Sequence, residues 1–358
     1  MNPVKVSEVL DWVKACGFSP ERDFKFDQDF DLTGFASVDR AGKGDVTFWV
    51  GDTVRSDTNA NGFSNDLLRQ ISAGLIFVPS AMLESGVGDS ASQDAGIGLA
   101  RLAKLVPNVR CIVPVLNPYH VMVEFLNKFV GGCSVAAAVK AAPAGVISAG
   151  AEIHPSAVVD GSVGDGSYVG PNCVVMAGAS IGANCILEAN VTIYPNVSVG
   201  DGCVFQAGAV IGSRGFGFYE FEGKRRMVPH VAGVRIGNNC SFSANMVVAA
   251  GFISPTVIGN DCHFDTHVQV AHNCVLGNNI YMASQSGLAG TVTVEDDVEL
   301  AGGAQTAGHL TIGKGAHVAA KAGVTKSVPA GHTVAGFPTV DIDVWRRSMV
   351  KLRMLGKK

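Results

Sequence analysis

The sequence predicts a mainly β protein: a hexapeptide solenoid of triangular coils, with an N-terminal α/β domain before it and a C-terminal helix after it. Three observations carry this. From Val163 onward every sixth residue is apolar: Val163, Val169, Val175, Ile181, Leu187, Ile193, Val199, Phe205 and Ile211. The same step resumes at Ile236, Phe242 and Val248, slips by four, and runs again from Ile258 to Val324 with only Thr306 polar at a marker. Glycine, at 44 of 358 residues, follows many of the markers, as in Val163-Gly164 and Ile181-Gly182. A step of six fits neither a helical stripe nor a simple alternating strand. It fits short strands joined by corners, three to a coil, with the marker pointing inward and glycine taking corners where a Cβ would clash.

Composition narrows the function classes. The chain is too long for one small domain and corresponds to about two by the usual ~150 residues per domain. With 16 % charged and 47 % hydrophobic residues it is neither disordered nor a long coiled coil. A formal charge of −4 argues against a nucleic-acid-binding protein. No apolar run reaches 18 residues, and the first residues carry charges among their apolar positions, so neither a membrane span nor a secretory signal is expected. A cytoplasmic protein with free thiols is the expectation.

Residues 1–130 lack the hexad and read as a small α/β domain. A helix is expected over 6–16, and buried strands over 74–78 and 111–115. Asn117 is placed to cap a helix over 119–129. Residues 131–145, rich in Ala and Gly, read as a linker or short helix. The solenoid runs over 146–335 and is interrupted by a loop at 213–235 that carries aromatics and Lys224, Arg225 and Arg226. Loops this long in a repeat are commonly functional, so a substrate or subunit contact is weighed against a decorative extension. Residues 336–358 end in a helical pattern with Arg346, Arg347, Lys351 and Arg353 and no acid after Trp345. That helix reads equally as a cap on the solenoid or as a dock for an acidic partner.

Six of the nine cysteines, Cys173, Cys185, Cys203, Cys240, Cys262 and Cys274, fall four residues after a marker. That regularity marks them as small core side chains rather than metal ligands. The densest polar stretch is 261–273, containing His263, Asp265, His267, Gln269, His272 and Asn273. Eighteen residues make one coil, so His272 should stack against Gly290, with His309 near the same column. Asp265, seven residues before His272, is expected to orient its ring around a corner. A carboxylate-oriented imidazole beside a backbone N–H suits acyl transfer: the ring takes a proton from a nucleophile and the N–H receives an oxyanion. A second reading is zinc held by His263, His267, His272 and His309, although these spacings do not establish convergence. A third is a purely structural solenoid.

Taken in order, several segments resemble the UDP-3-O-acylglucosamine N-acyltransferase family of lipid A biosynthesis over nearly the whole chain. They are Asp45-Val-Thr-Phe48, Asn117-Pro-Tyr-His120, Arg214-Gly-Phe-Gly217, Phe264-Asp265, Gln269-Val-Ala-His272-Asn273, Gly336-Phe-Pro338 and Trp345-Arg346-Arg347. The resemblance implies a left-handed parallel β-helix, against the usual right-handed crossover, assembled as a homotrimer with sites between subunits. It implies transfer of an (R)-3-hydroxyacyl group from the 4'-phosphopantetheine of acyl carrier protein to the 2-amino group of UDP-3-O-(3-hydroxyacyl)-glucosamine. No bound cofactor or metal and at most peripheral membrane contact are implied.

By the same resemblance His272 is the general base, Asp265 its partner, Gly290 the oxyanion donor and His309 a second active-site histidine. Phe48 matches an aromatic that stacks on uracil, with Trp49 beside it, in a uridine-nucleotide-binding N-terminal domain. Gln269, Asn273, Arg214 and Phe216 are the further substrate contacts, and Arg346, Arg347, Lys351 and Arg353 the carrier dock. Two departures stand out. Ala249-Ala250-Gly251 replaces the family's Asp-Arg-Gly, and Gly51-Asp-Thr-Val54 replaces its Asn-Pro-Lys-Tyr. They keep open a divergent paralogue that N-acylates another nucleotide amino sugar.

Overall fold

The computed structural model describes residues 1–19, 28–38, 40–49, 70–80, 103–104, 106–132, 134–336 and 342–356. From residue 146 to 334 the chain winds as a left-handed parallel β-helix. Its strands form three stacked sheets, here called the first, second and third faces, of ten, nine and eight strands. One coil shows the construction. The first face holds His263–Phe264, the second Gln269–Val270 and the third Val275–Leu276. Each pairs in parallel with the strand eighteen residues on: Phe264 with Met282, Gln269 with Gly287, Val275 with Thr293. Strands this short leave one side chain facing out and the marker facing in, so the markers fuse into one buried column. Phe205, Phe242 and Phe264 stack within it at 4.6 and 5.2 Å between ring centroids. Thr306, the polar marker, is also buried.

The vertex between the third and first faces shows why the sequence tolerates such tight winding. Its side chains cap the coil before. Asp201, Asn238, Asn260, Asn278 and Asp296 accept through Oδ1 from the N–H of residues 183, 201, 238, 260 and 278, at 2.7–2.9 Å. The following residue is left-handed: Gly202, Asn239, Asp261, Asn279 and Asp297 have φ of 54–67°. Asn and Asp are the side chains that tolerate that region, because a short polar group can bond locally. Next comes the cysteine column. Cys185, Cys203, Cys240 and Cys262 are buried, and each Sγ donates to a glycine carbonyl at 3.2–3.3 Å. They are core thiols, as their regular spacing predicts.

The N-terminal part contains a parallel four-stranded sheet: Gly34–Phe35, Asp45–Phe48, Ser72–Pro79 and Asn108–Val115. Helix α1 (Val6–Ala15) buries Val6, Val9, Leu10, Trp12 and Val13. Helix α2 (Pro118–Phe125) is capped by Asn117, whose Oδ1 accepts from the His120 N–H at 3.0 Å. The helical run expected to reach residue 129 changes character after Phe125, becoming a π-helical turn over Leu126–Val130 that Gly131 ends at φ 92°. The linker region holds a short helix, α3 (Val135–Ala141), with Ser134 at its N-cap.

The interrupting loop is an antiparallel hairpin, Phe218–Phe221 against Lys224–Met227. It leaves the second face after Ser213 and re-enters the third at Val234. Val231, Phe252 and Ile253, from this loop and the next coil's corner, pack on the N-terminal core. The C-terminal helix α4 (Ile342–Leu355) exposes Arg346, Arg347, Lys351 and Arg353 together with Val350, Leu352, Met354 and Leu355. None of its described side chains, from Arg346 onward, is buried. Among the described residues no single helix is long and apolar enough to cross a membrane.

Candidate active site

The vertex between the second and third faces is where regular winding breaks. One coil sends out the hairpin loop there, the next makes the wide turn 250–255, and the third carries Ala271, His272, Asn273 and Cys274. Asn273 holds this corner together. It is left-handed, at φ 60°. Its Nδ2 donates to Ser254 O at 2.8 Å, and its Oδ1 accepts from the Phe252 N–H at 3.1 Å. Its own N–H donates to Thr256 Oγ1 at 2.9 Å.

That network fixes the tautomer of His272. Nδ1 of the ring lies 3.1 Å from Asn273 Oδ1, an oxygen that can only accept. In the neutral ring Nδ1 therefore carries the proton, and Nε2 has the lone pair. The Nε2 edge lies against Gly290, one coil on. A Cβ added there would stand 2.6 Å from His272 Cε1 and 2.7 Å from Nε2. Only a residue without a side chain leaves room for the imidazole. Thr291 N–H donates to His272 O at 2.9 Å, and His309 N–H to Gly290 O at 3.1 Å, which locks the three coils in register. Among the described residues no acceptor takes the Gly290 N–H. The stacking of His272 on Gly290 predicted from the eighteen-residue winding is present.

Sequence reasoning missed the second imidazole at this corner. His230, at the end of the hairpin loop, lies 4.6 Å from His272 between ring centroids. Its Nδ1 donates to Val228 O at 3.0 Å, leaving Nε2 as an acceptor. Burial, then the neighbouring His272 ring, with Arg214 adding to the effect, pushes His230 down to about 4, so it is neutral near pH 7. Gly215 and Gly217 wrap it: added Cβ atoms would lie 2.7 Å from Cδ2 and 2.9 Å from Cε1 of this ring. The only hint in the sequence was the pair of glycines in Arg214-Gly-Phe-Gly217. A cavity of about 660 Å³ opens beside His230 and Arg214, with Phe129, Val135 and Tyr194 on its apolar walls.

Other expectations are corrected. Asp265 does not hold His272. Its Oδ1 accepts from the Thr266 N–H at 2.7 Å and its Oδ2 from the Ser284 N–H at 3.2 Å. These bonds, the Thr266 N–H first, hold its carboxyl below the usual range. It sits at the vertex between the first and second faces, in a groove with His263, Tyr281 and His317. Asn273 makes the contact assigned to it. His309 is exposed, left-handed at φ 60°, and stacked above Thr291 rather than Gly290.

Phe48 is not available to stack on a base. It is 5 % exposed and stacks on Phe77 at 5.2 Å inside the N-terminal core. Trp49 is buried too, against Ile71, Ile76 and Val78. Val54 lies outside the described residues. Gln269 is exposed on the second face. Arg214 and Phe216 are exposed on the loop. His263, His267 and His272 occupy a face and two different vertices, so they do not converge. Among the described residues no three His, Cys, Asp or Glu side chains are grouped to hold a metal ion.

Fold and site together define a class: a hexapeptide-repeat β-helix with an imidazole set against a corner glycine. The family of bacterial transferase hexapeptide repeats (six repeats) matches residues 160–194 and 178–213. Within that class the chain is similar to proteins named UDP-3-O-acylglucosamine N-acyltransferase. A probable mitochondrial one (number 2) of Arabidopsis thaliana is 37 % identical over 170 residues, 47 % of this chain and 56 % of that protein. One from Caulobacter sp. (strain K31) is 41 % identical over 149 residues, 42 % of this chain and 44 % of that one. The matches span about half the length of these relatives. Among solved structures, the Francisella novicida UDP-N-acetylglucosamine acyltransferase is 26 % identical with a TM-score of 0.45, covering 57 % of this chain and 73 % of that one. The resemblance read from the motifs is thus borne out over part of the chain.

Proposed function

We propose that this protein is an N-acyltransferase that moves a 3-hydroxyacyl group from acyl carrier protein to the 2-amino group of a UDP-linked, 3-O-acylated glucosamine. The observation that carries the reading is the Nε2 edge of His272 against Gly290, with the tautomer fixed by Asn273. The names of the relatives support the substrate class.

In this reading the sugar amine attacks the thioester carbonyl while His272 Nε2 takes its proton. The new C–N bond pushes the carbonyl electrons onto oxygen, and the Gly290 N–H stabilises that charge. Collapse breaks the C–S bond, and the leaving pantetheine thiolate takes the proton back from His272. Asn273 orients the ring as a neutral amide, so it fixes geometry without adding a negative charge. His309 borders the site as an exposed polar group. The basic face of α4 offers a dock for the acidic carrier, and a homotrimer is the expected assembly.

A second reading is a paralogue that acts on another nucleotide amino sugar. Two observations favour it: Phe48 and Trp49 are buried, and Ala249 and Ala250 fill a turn with uncharged, buried side chains. One experiment separates these readings. Purified protein is offered UDP-3-O-acylglucosamine, other UDP-amino sugars and acyl carriers of graded chain length, and the products are read by mass spectrometry. N-acylation of the first, lost by about 10²–10⁴-fold in His272→Ala, is expected. Turnover of only another sugar would establish the second reading. A His272→Ala variant at normal rate would remove that residue from the chemistry.

A further inference from the structure

A chain of rings leads from the N-terminal domain to His272. His120, on α2, hydrogen-bonds through Nδ1 to Tyr219 Oη at 2.8 Å, and its ring stacks on Phe221 at 3.7 Å and 14°. Both partners belong to the hairpin, so α2 grips the loop. Tyr119, the residue before His120, meets Tyr219 at 5.3 Å and Phe252 at 6.3 Å. Phe252 backs His230 at 6.1 Å, and His230 meets His272 at 4.6 Å. Gly215 fits between the His230 ring and the root of the His272 side chain: a Cβ there would stand 2.6 Å from His272 Cβ and 2.7 Å from His230 Cδ2 and Nε2. The His272 ring thus has Gly290 on one side and the loop on the other.

We propose that His230 is a positioning residue for His272: anchored at Nδ1, backed by Phe252 and gripped through Tyr119, it keeps the His272 ring from swinging off Gly290. The claim rests on the reading of this corner as the reaction site. It gives the Asn117–His120 segment a role, because that segment holds the loop that carries His230. A proton acceptor needs its lone pair aimed within a few tenths of an ångström, and an imidazole at an open vertex has free space to turn. The ring of His230 removes that space. Its action is steric, so an aromatic ring without nitrogen can replace it.

The test compares His230→Ala, His230→Phe, Phe252→Leu and His272→Ala in the full chain. The readouts are kcat, both KM values, and the ¹⁵N signals of the His272 ring. His230→Ala is expected to lower kcat by about 10–100-fold, the scale of a misplaced catalytic group, with both KM values within about twofold. The His272 nitrogens, distinct in the parent protein, then average toward each other. His230→Phe recovers most of the lost kcat, and Phe252→Leu shows a smaller loss in the same direction. Parent-like kcat in His230→Ala, equal loss in the Phe and Ala variants, or unchanged ¹⁵N signals in both His230→Ala and Phe252→Leu would overturn the proposal. If His272→Ala keeps its turnover, the acyl-transfer role of this corner fails instead, and the ¹⁵N signals still decide the positioning claim.

Discussion

Gly290→Ala adds one methyl group at the centre of the candidate site and leaves the backbone N–H in place. The φ of Gly290 is not in the left-handed region, so alanine meets no backbone strain there. The methyl group would stand 2.6 Å from His272 Cε1, where ordinary contact begins near 3.4 Å. The ring must therefore retreat by about 0.8 Å, a distance on the scale at which misplaced catalytic groups lose roughly 10²-fold in rate. It cannot retreat freely, because Gly215 and His230 stand behind it and the 3.1 Å bond to Asn273 would break. We expect kcat to fall about 100-fold, with KM for the carrier little changed and a loss of about 1–3 kcal/mol in stability, typical of an overpacked site. Steady-state kinetics and denaturant unfolding of the same preparation measure both. A variant with parent-like kcat would show that the Nε2 edge of His272 does not need the position seen here, and the proposed chemistry would lose its geometric basis.

Other perturbations follow from the same structure. Phe242→Ala empties the middle of the Phe205–Phe242–Phe264 stack and should cost about 3–5 kcal/mol in denaturant unfolding. Asn273→Ala removes the acceptor for two N–H groups and places alanine at φ 60°. A loss of about 2 kcal/mol or more is expected, together with a slower enzyme. His230 has a native value near 4, below the 6.5 of an unfolded histidine, so between these the unfolded chain binds the extra proton. The stability present above pH 6.5 is therefore lost as pH falls toward 4, by about 2 kcal/mol once its partial exposure is discounted, and His230→Phe should flatten that stretch of the stability curve. Charge reversal at Arg346 and Arg347 should raise KM for an acidic carrier and weaken its salt dependence, leaving KM for the sugar unchanged.

Where the residues repeat, the sequence was easy to read. Period six named the inward column almost residue by residue, and stacking at eighteen placed Gly290 on His272 without any coordinates. The same arithmetic could have corrected Asp265. It follows its marker Phe264 by one residue, whereas His272 follows Val270 by two. The next strand carries the chain from one vertex to another between them, so the two side chains stand an edge of the triangle apart. His230 was not legible because the loop that carries it obeys no period, and its place depends on long-range contacts with α2 and the 250–255 turn. Phe48 misled for a different reason. Its Asp-Val-Thr-Phe setting marks a strand, and whether the end of a strand faces a core or a ligand depends on what packs over it. Here Phe77 and Phe125 do.

A stack in which each coil touches only the ones directly above and below melts from its ends inward. On the second face the strand just before His272 is fourth of nine, counted from the C-terminal end. Amide exchange should accordingly be graded along the axis, fastest at the terminal coils and slowest near the middle. Fraying of an outer coil would leave the neighbourhood of His272 intact.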